Sequence, residues 1–331
     1  MSEREISEVF EGFNSKRIAV IGDVMLDSYV WGKVDRISPE APVPVVLVER
    51  REYRLGGAAN VALNLMALGA RVDVLSTAGK DYDGDILENL FNEHGLNSAF
   101  LMRLSNRTTV KTRIMAQMHH LLRIDEEVTQ QPTPQEALLL QQKVQELLDQ
   151  KPDALVFEDY DKGLLHREFI AFVVEECKKR NIPIAVDPKK RNFNHYSGVD
   201  LFKPNLKEIK EGLNLHINAK SQASLSEAHQ RLSDLLNHKM TLITLSEHGV
   251  FYANDAESNL IEAHLRSITD VSGAGDTVIS VAALCMASGL PLSEIAAWAN
   301  VAGGLACEKV GVVPADKEQL LSEILRLYAS N

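Results

Sequence analysis

The chain reads as an α/β protein with a central, mostly parallel sheet covered by helices on both faces, and three observations predict this. Short apolar runs of strand length recur and several end on an acid, as in "RIAVIGD" (17–23), "ALVFED" (154–159) and "IPIAVD" (182–187). Between them lie helical stretches such as "HREFIAFVVEECKKR" (166–180). Strands that alternate with helices and are apolar throughout are those of a parallel sheet buried on both sides. Finally, 45% of the 331 residues are hydrophobic, ample for a large core.

In order, "RIAVIGD" is a buried strand. "YVWGKV" (29–34) and "VPVVLVER" (43–50) are two more strands around a proline-rich link. "GGAANVALNLMALG" (56–69) is an apolar helix opened by two glycines and closed by Gly69. A strand at 71–79 and a helix at 82–94 follow. Residues 109–117 and 120–125 look like a hairpin. Thr133, Pro134 and Glu136 form a capping-box pattern that starts a Gln-rich helix with a solvated face. Strand and helix then alternate through "LFKPN", helices from about 205 and near 223–237, and the strands "TLITLS" and "VFYAN". Helices near 274–288 and 293–309 are expected to close the chain. The early strand pair and the 109–125 hairpin break the alternation, so they are assigned to a small β-sheet inserted on the same body.

Composition excludes several classes. The formal charge of −11 argues against nucleic acid or an anionic membrane as partner, since both require a basic face. Cys177, Cys285 and Cys307 form no Cys-x-x-Cys pair, so no zinc knuckle or dithiol motif is visible. The N-terminal residues are charged, and the most apolar run, near 278–290, is too short to span a bilayer. A cytoplasmic protein without a membrane partner is expected.

In open α/β sheets ligands bind beyond the carboxyl ends of the strands. Asp23, Asp159, Asp187, Asn205 and the stretch "DVSGAGDT" (270–277) all follow strands or open a helix there. Gly273, Ala274 and Gly275 would present backbone N–H groups at a helix start, where an anion is favoured. Asp276 then sits beside that anion. A carboxylate so placed makes sense as a base that takes a proton from an attacking hydroxyl while the N–H groups hold a transferring phosphoryl group. A helix start with Asp in its first turn is the plain structural alternative. A dinucleotide fingerprint fails because Val278 stands where its third glycine belongs, and no Gly-Lys pair is followed by Ser or Thr as a P-loop requires.

Asp23 and Asp27 in "GDVMLD" are suited to sugar hydroxyls, or to an Asp-rich turn. Gly56, Gly57 and Asn60 combine close approach with an amide that donates and accepts. Asn205 and Glu208 share one helical face and suit water around magnesium, or an N-cap with its first-turn glutamate. Lys111, Arg113, Lys162 and Lys189 are the candidate cations for a substrate phosphate, with Lys162 and Lys189 ranked first. His119 and His120 lack a third ligand in sequence, and Lys190 and Arg191 read as solvated charge.

Residues 56–79, "GGAANVALNLMALGARVDVLSTAG", resemble the first signature of the ribokinase-like (PfkB) sugar kinases, and "DVSGAGD" resembles the second. The likeness covers Arg17 to about Val313. It implies a ribokinase-like fold in a single kinase domain over 1–331, with a lid of approximately 29–50 plus 107–125. It implies that Asp276 is the catalytic base, that Gly273, Ala274 and Gly275 form the anion hole, and that Asn205 and Glu208 place magnesium through water. Ser246, Glu247, Gly249 and Asn300 would line the nucleotide with Gly273 and Gly275. Asp23, Asp27, Gly56, Gly57, Asn60 and Asp159 would face the sugar. ATP and Mg²⁺ are implied, a monovalent cation is left open, and a homodimer through the β-lid is implied by the family alone.

"GDVMLDSYVWGKVDRISPEAPVPVV" with "RLGGAANVA", and Ser246-Glu247 in "LSEHG", are similar to the heptose-phosphate kinase branch of that family. Lys203, before Pro204 and Asn205, departs from the small or hydroxyl residue expected there. The likeness implies ATP-dependent phosphorylation of the anomeric C1 hydroxyl of D-glycero-β-D-manno-heptose 7-phosphate, in the synthesis of ADP-heptose for the lipopolysaccharide core. With the chain stopping at Asn331, the adenylyltransferase domain often fused to this branch is expected to be absent. The competing readings are a kinase of another sugar, sugar phosphate or nucleoside, and a non-catalytic nucleotide- or sugar-binding regulator.

Overall fold

The computed structural model describes residues 1–116, 119–263 and 268–329. The chain opens on helix α1 (Glu3–Gly12) and strand β1 (Arg17–Gly22), followed by two long strands, β2 (Val24–Ile37) and β3 (Pro44–Gly57). Then come α2 (Ala58–Ala67), β4 (Arg71–Gly79), α3 (Tyr82–Glu93) and β5 (Leu101–Leu104). A hairpin of β6 (Val110–Ala116) and β7 (His119–Glu126) leads into α4 (Pro134–Leu148), β8 (Ala154–Glu158), α5 (Arg167–Arg180) and β9 (Ile184–Asp187). These are followed by β10 (Leu201–Phe202), α6 (Leu206–Leu213), α7 (Gln222–Leu236) and β11 (Met240–Thr244). Strands β12 (Val250–Ala253) and β13 (Ser258–Ile261) precede α8 (Ala274–Ala287), α9 (Leu292–Cys307) and α10 (Lys317–Ala329).

Nine strands form the main sheet in the order β13-β12-β11-β10-β9-β8-β1-β4-β5. The strands from β11 to β5 pair in parallel, while β12 is antiparallel to both of its neighbours. Period-2 alternation splits the core between the two faces. Ile18, Val20 and Val156 join one cluster with Leu65, Val281 and Trp298 of α2, α8 and α9. Ala19, Ile21, Leu155 and Phe157 join the other with Val144, Phe169 and Leu232 of α4, α5 and α7.

Strands β2, β3, β6 and β7 form a separate sheet ordered β3-β2-β6-β7. Both hairpins are antiparallel, and β2 and β6 pair in parallel. The lid strands are longer than their apolar runs, so β2 and β3 reach back to the main sheet. Only Asp23 separates β1 from β2, and β3 ends where α2 begins, so the lid is rooted at the Asp23–Gly57 junction. Gly57 has φ +63°, and a Cβ there would stand 2.3 Å from the Asp23 carbonyl oxygen, which requires glycine.

The capping box of α4 forms as expected: the Thr133 hydroxyl accepts from Glu136 N, and Glu136 accepts from Thr133 N. The C-terminal expectation is corrected, because α10 follows α9 and packs beside α1. Phe10 of α1 lies 5.2 Å, ring to ring, from Trp298, and the Trp298 indole donates to the Tyr328 hydroxyl. Among the described residues no helix is long and apolar enough to cross a membrane.

Candidate active site

The carboxyl ends of neighbouring strands line up a row of polar and charged side chains. From one side to the other these are Ser246 after β11, Lys203 and Asn205 after β10, Asp187 and Lys189 at β9, Glu158 and Tyr160 at β8, and Asp23 after β1. The lid adjoins the Asp23 end. The start of α8 lies over the middle of the row, since a Cβ on Gly275 would stand 3.6 Å from an Asp187 carboxylate oxygen and 3.9 Å from Lys203 Nζ.

Gly273 caps α8 with φ +77°, and a Cβ there would meet Asn60 Nδ2 at 3.1 Å. Asp270 pins the turn by accepting from Ser272 N and Gly311 N. Ala274 N–H donates weakly to the Val271 carbonyl at 3.3 Å. The N–H groups of Gly273, Gly275 and Asp276 have no hydrogen-bond partner among the described residues. Free donors at a helix start are an anion site in waiting, so the expected glycine turn is present with Asp276 N–H in place of Ala274 N–H.

Asp276 is 6% exposed. One carboxylate oxygen accepts from Asn60 Nδ2 at 2.5 Å and the other from the Tyr160 hydroxyl at 2.9 Å. Burial pushes its pKa up to about 6; the Asn60 and Tyr160 hydrogen bonds and the Lys203 charge oppose the rise, and the Asp187 charge adds to it. The match of α2 to α8 continues one turn along: Thr277 and Ser280 hydroxyls donate to Asn64 Oδ1 and to the Val61 carbonyl.

Asp23 follows β1 and holds the loop after β8. It is 3% exposed, and one oxygen accepts from both Tyr160 N (3.0 Å) and Lys162 N (3.1 Å). Burial, reinforced by the Asp159 charge, pushes its pKa up to about 7. Asp159 is likewise turned inward, accepting from Asn192 and the Tyr196 hydroxyl. Both acids hold the loop that carries Tyr160, a residue the sequence reading passed over. The Asn60 amide donor meets Asp276.

Three of the four candidate cations have carboxylate partners. Arg113 pairs with Asp27 at 2.5 Å, Lys162 with Glu127 at 2.9 Å and Lys189 with Glu208 at 2.7 Å. Lys111 has no such partner among the described residues; its Nζ lies 5.2 Å from the Tyr160 ring centre, with Lys189 Nζ at 5.2 Å from the same ring. Burial lowers the Lys111 pKa, with the Asp27 charge opposing. Lys190 and Arg191 form surface ion pairs, and His119 and His120 are exposed, as expected.

Asn205 and Glu208 build a capping box, with Glu208 N donating to Asn205 Oδ1 and Asn205 N to Glu208. A carboxylate has about four lone-pair sites, so Glu208 retains capacity for water around a magnesium ion, and the pair fits that ion in its outer sphere. Ser246 (φ +54°) and Gly249 (φ +88°) shape the turn after β11. That turn borders a cleft of about 520 Å³ that Glu247, Lys210 and His216 also line. Asn300 is buried, and its amide holds the Glu262 carbonyl at 2.9 Å.

A sequence model described as pfkB family carbohydrate kinase matches residues 15–319. The chain is 39% identical over 307 residues to the D-beta-D-heptose 7-phosphate kinase of Bordetella bronchiseptica, covering 93% of this chain and 96% of that one. It is 38% identical over 314 residues to the bifunctional protein HldE of Desulfatibacillum aliphaticivorans, covering 94% of this chain and 64% of that relative. It therefore spans less than two thirds of the bifunctional protein's length. Phosphofructokinase-2 from Escherichia coli, solved in complex with potassium, superposes with a TM-score of 0.78 at 17% identity over 96% of this chain and 99% of that one, a likeness of fold. With the signatures at 56–79 and 270–276 matched in sequence and brought together in space, the chain belongs to the pfkB family of carbohydrate kinases.

Proposed function

We propose that the chain transfers the γ-phosphoryl group of ATP to the anomeric C1 hydroxyl of D-glycero-β-D-manno-heptose 7-phosphate, giving the 1,7-bisphosphate that ADP-heptose and lipopolysaccharide core synthesis would consume. The 39% identity to a heptose 7-phosphate kinase over nearly both full lengths carries this reading. The geometry supports it: Asp276 lies between the lid root and a turn of free backbone donors. The sugar enters under the lid near Lys111, Asp27 and Gly56, and the nucleotide lies toward the Ser246–Gly249 turn. Asp276 accepts the C1 hydroxyl proton as the oxygen attacks phosphorus and the bond to the ADP oxygen breaks. The N–H groups of Gly273, Gly275 and Asp276 hold the migrating group, a fixed electrostatic contribution of the kind that dominates phosphoryl transfer. Mg²⁺, when bound with ATP beside Asn205 and Glu208, screens the phosphate charge. A cytoplasmic location is part of the same proposal, since ATP is the donor.

Incubation with ATP, Mg²⁺ and the heptose 7-phosphate, followed by phosphorus NMR, should show a new ester at the anomeric carbon. A higher kcat/KM for a fructose phosphate or a nucleoside would assign the chain to another branch of the family, and no ADP release with any sugar would leave a regulator. In the same assay Lys111→Met should raise KM for the 7-phosphate by about 10- to 150-fold and leave KM for the unphosphorylated heptose unchanged, because a charged hydrogen bond to phosphate contributes about 1.5–3 kcal/mol.

A homodimer through the lid is also proposed. Ile37, Leu47 and Leu122 on β2, β3 and β7 are 61%, 66% and 56% exposed, more apolar exposure than a free sheet usually carries. Sedimentation should give a dimer that Leu47→Glu shifts toward monomer; a monomeric wild type would refute this.

A further inference from the structure

Glu158, Asp187 and Asp276 each offer a buried oxygen, and these atoms all lie within 4.8 Å of one another. Glu158 is 0% exposed, and neither of its oxygens has a hydrogen-bond partner among the described residues. An enclosed carboxyl group without a partner is costly and calls for an explanation. Three hard oxygen donors at this spacing are what a divalent cation takes. A cation already stands against one of the three, Asp187, however. Lys203 is 2% exposed, and its Nζ lies 2.8 Å from Asp187.

We infer that Lys203 is the built-in counter-cation of this carboxylate cluster, filling with a protein-held ammonium a site that would otherwise bind a divalent ion. Its charge survives burial: desolvation works against the ammonium, but Asp187, Glu208 and Glu158 together raise its pKa above the ordinary lysine value. The same charge opposes the rise in proton affinity that burial gives Asp276 and Glu158, although burial, with the Asp187 and Asp276 charges adding to it, still holds Glu158 well above the usual carboxylate range. A metal ion among these oxygens would be repelled by the ammonium in a site without solvent to screen it. Two things follow for the reaction. Asp276 remains free to accept a proton instead of being tied as a ligand. The ammonium also sits just under Gly275, where a Cβ would be 3.9 Å from Nζ, so a fixed positive charge backs the turn that receives the phosphoryl group. This cluster is then left without an exchangeable divalent ion of its own. This inference does not depend on which sugar is phosphorylated.

The test uses Mn²⁺ alone, without nucleotide or sugar, followed by electron paramagnetic resonance of the free ion and by thermal melting of the full chain. The wild type should show no Mn²⁺ site that depends on Glu158, so wild type and Glu158→Gln should titrate alike. Lys203→Met should gain a site at least about tenfold tighter than any in the wild type and should melt higher when Mn²⁺ is added. Adding Glu158→Gln to Lys203→Met should abolish both effects. Should Lys203→Met fail to fold, Lys203→Gln keeps a polar, neutral head group of similar reach and is read in the same way. A wild-type Mn²⁺ site lost in Glu158→Gln would overturn the inference, as would folded Lys203 variants that take up no Mn²⁺.

Discussion

Asp276→Asn is expected to lower kcat by at least about two orders of magnitude, the lower range of what a positioned general base contributes, while leaving ATP affinity close to that of the wild type. The amide is nearly isosteric, so the α8 turn and its free N–H groups are retained. What is lost is the carboxylate that opens α8 beside that turn. With a pKa pushed up to about 6, Asp276 is ionised at neutral pH and still basic enough to take a proton late in the transfer. The sign of the pH dependence follows. Above pH 6 the carboxylate is free to act; below it, protonation removes the base, and wild-type kcat should fall about tenfold per pH unit on the acid side. The variant should lose that limb as well as the rate. Steady-state kinetics through the acid range, with nucleotide binding measured separately, checks both; a near-wild-type kcat would remove Asp276 from the mechanism.

The strands, the inserted sheet and the helix behind the glycine turn were legible because they rest on local patterns. Apolar runs ending in Asp23, Glu158-Asp159 and Asp187 mark the edge where the chemistry sits. The two terminal helices went unread, although signals for both exist. Ser2 and Glu5 form a capping box, and Ile6 and Phe10 lie four apart on the buried face of α1; Leu320 and Ile324 do the same in α10. With so few apolar positions in short charged segments, the burial that decides the matter comes from the pairing of the two chain ends, which no window of sequence contains. The same holds for the cations. Lys162 and Lys189 looked the freest, yet their partners Glu127 and Glu208 stand 35 and 19 positions away, and the pairing exists only after folding. Lys111, ranked lower, is the one of the four without a carboxylate partner among the described residues. Tyr160 was invisible for a related reason: one aromatic residue in a loop has no spacing to reveal its role, and its hydroxyl contact with Asp276 spans 116 positions.

Tyr160→Phe should therefore be the more instructive variant, with kcat reduced by about 10- to 100-fold, the range that a small misplacement of a reacting group produces. The hydroxyl is a dependable donor: burial, with the Asp276 charge adding to it, raises its pKa well above the usual tyrosine value, so it keeps its proton throughout the working range. The ring lies 5.2 Å from both the Lys111 and Lys189 ammonium groups, and its backbone N–H is held by Asp23, so the hydroxyl arrives at Asp276 already placed. Removing it takes away a hydrogen bond that favours the ionised carboxylate and leaves burial less opposed. The acid limb of kcat should move to higher pH by about one unit, equivalent to about 1.4 kcal/mol and at the lower end of the range for a hydrogen bond to a charged group. A residue that merely fills space would change thermal stability and leave the limb where it was. An unmoved limb would thus reduce Tyr160 to a wall of the site. A shifted limb with unchanged ATP affinity would mean that the proton affinity of the base is set by the loop after β8, and through that loop by the carboxylate of Asp23.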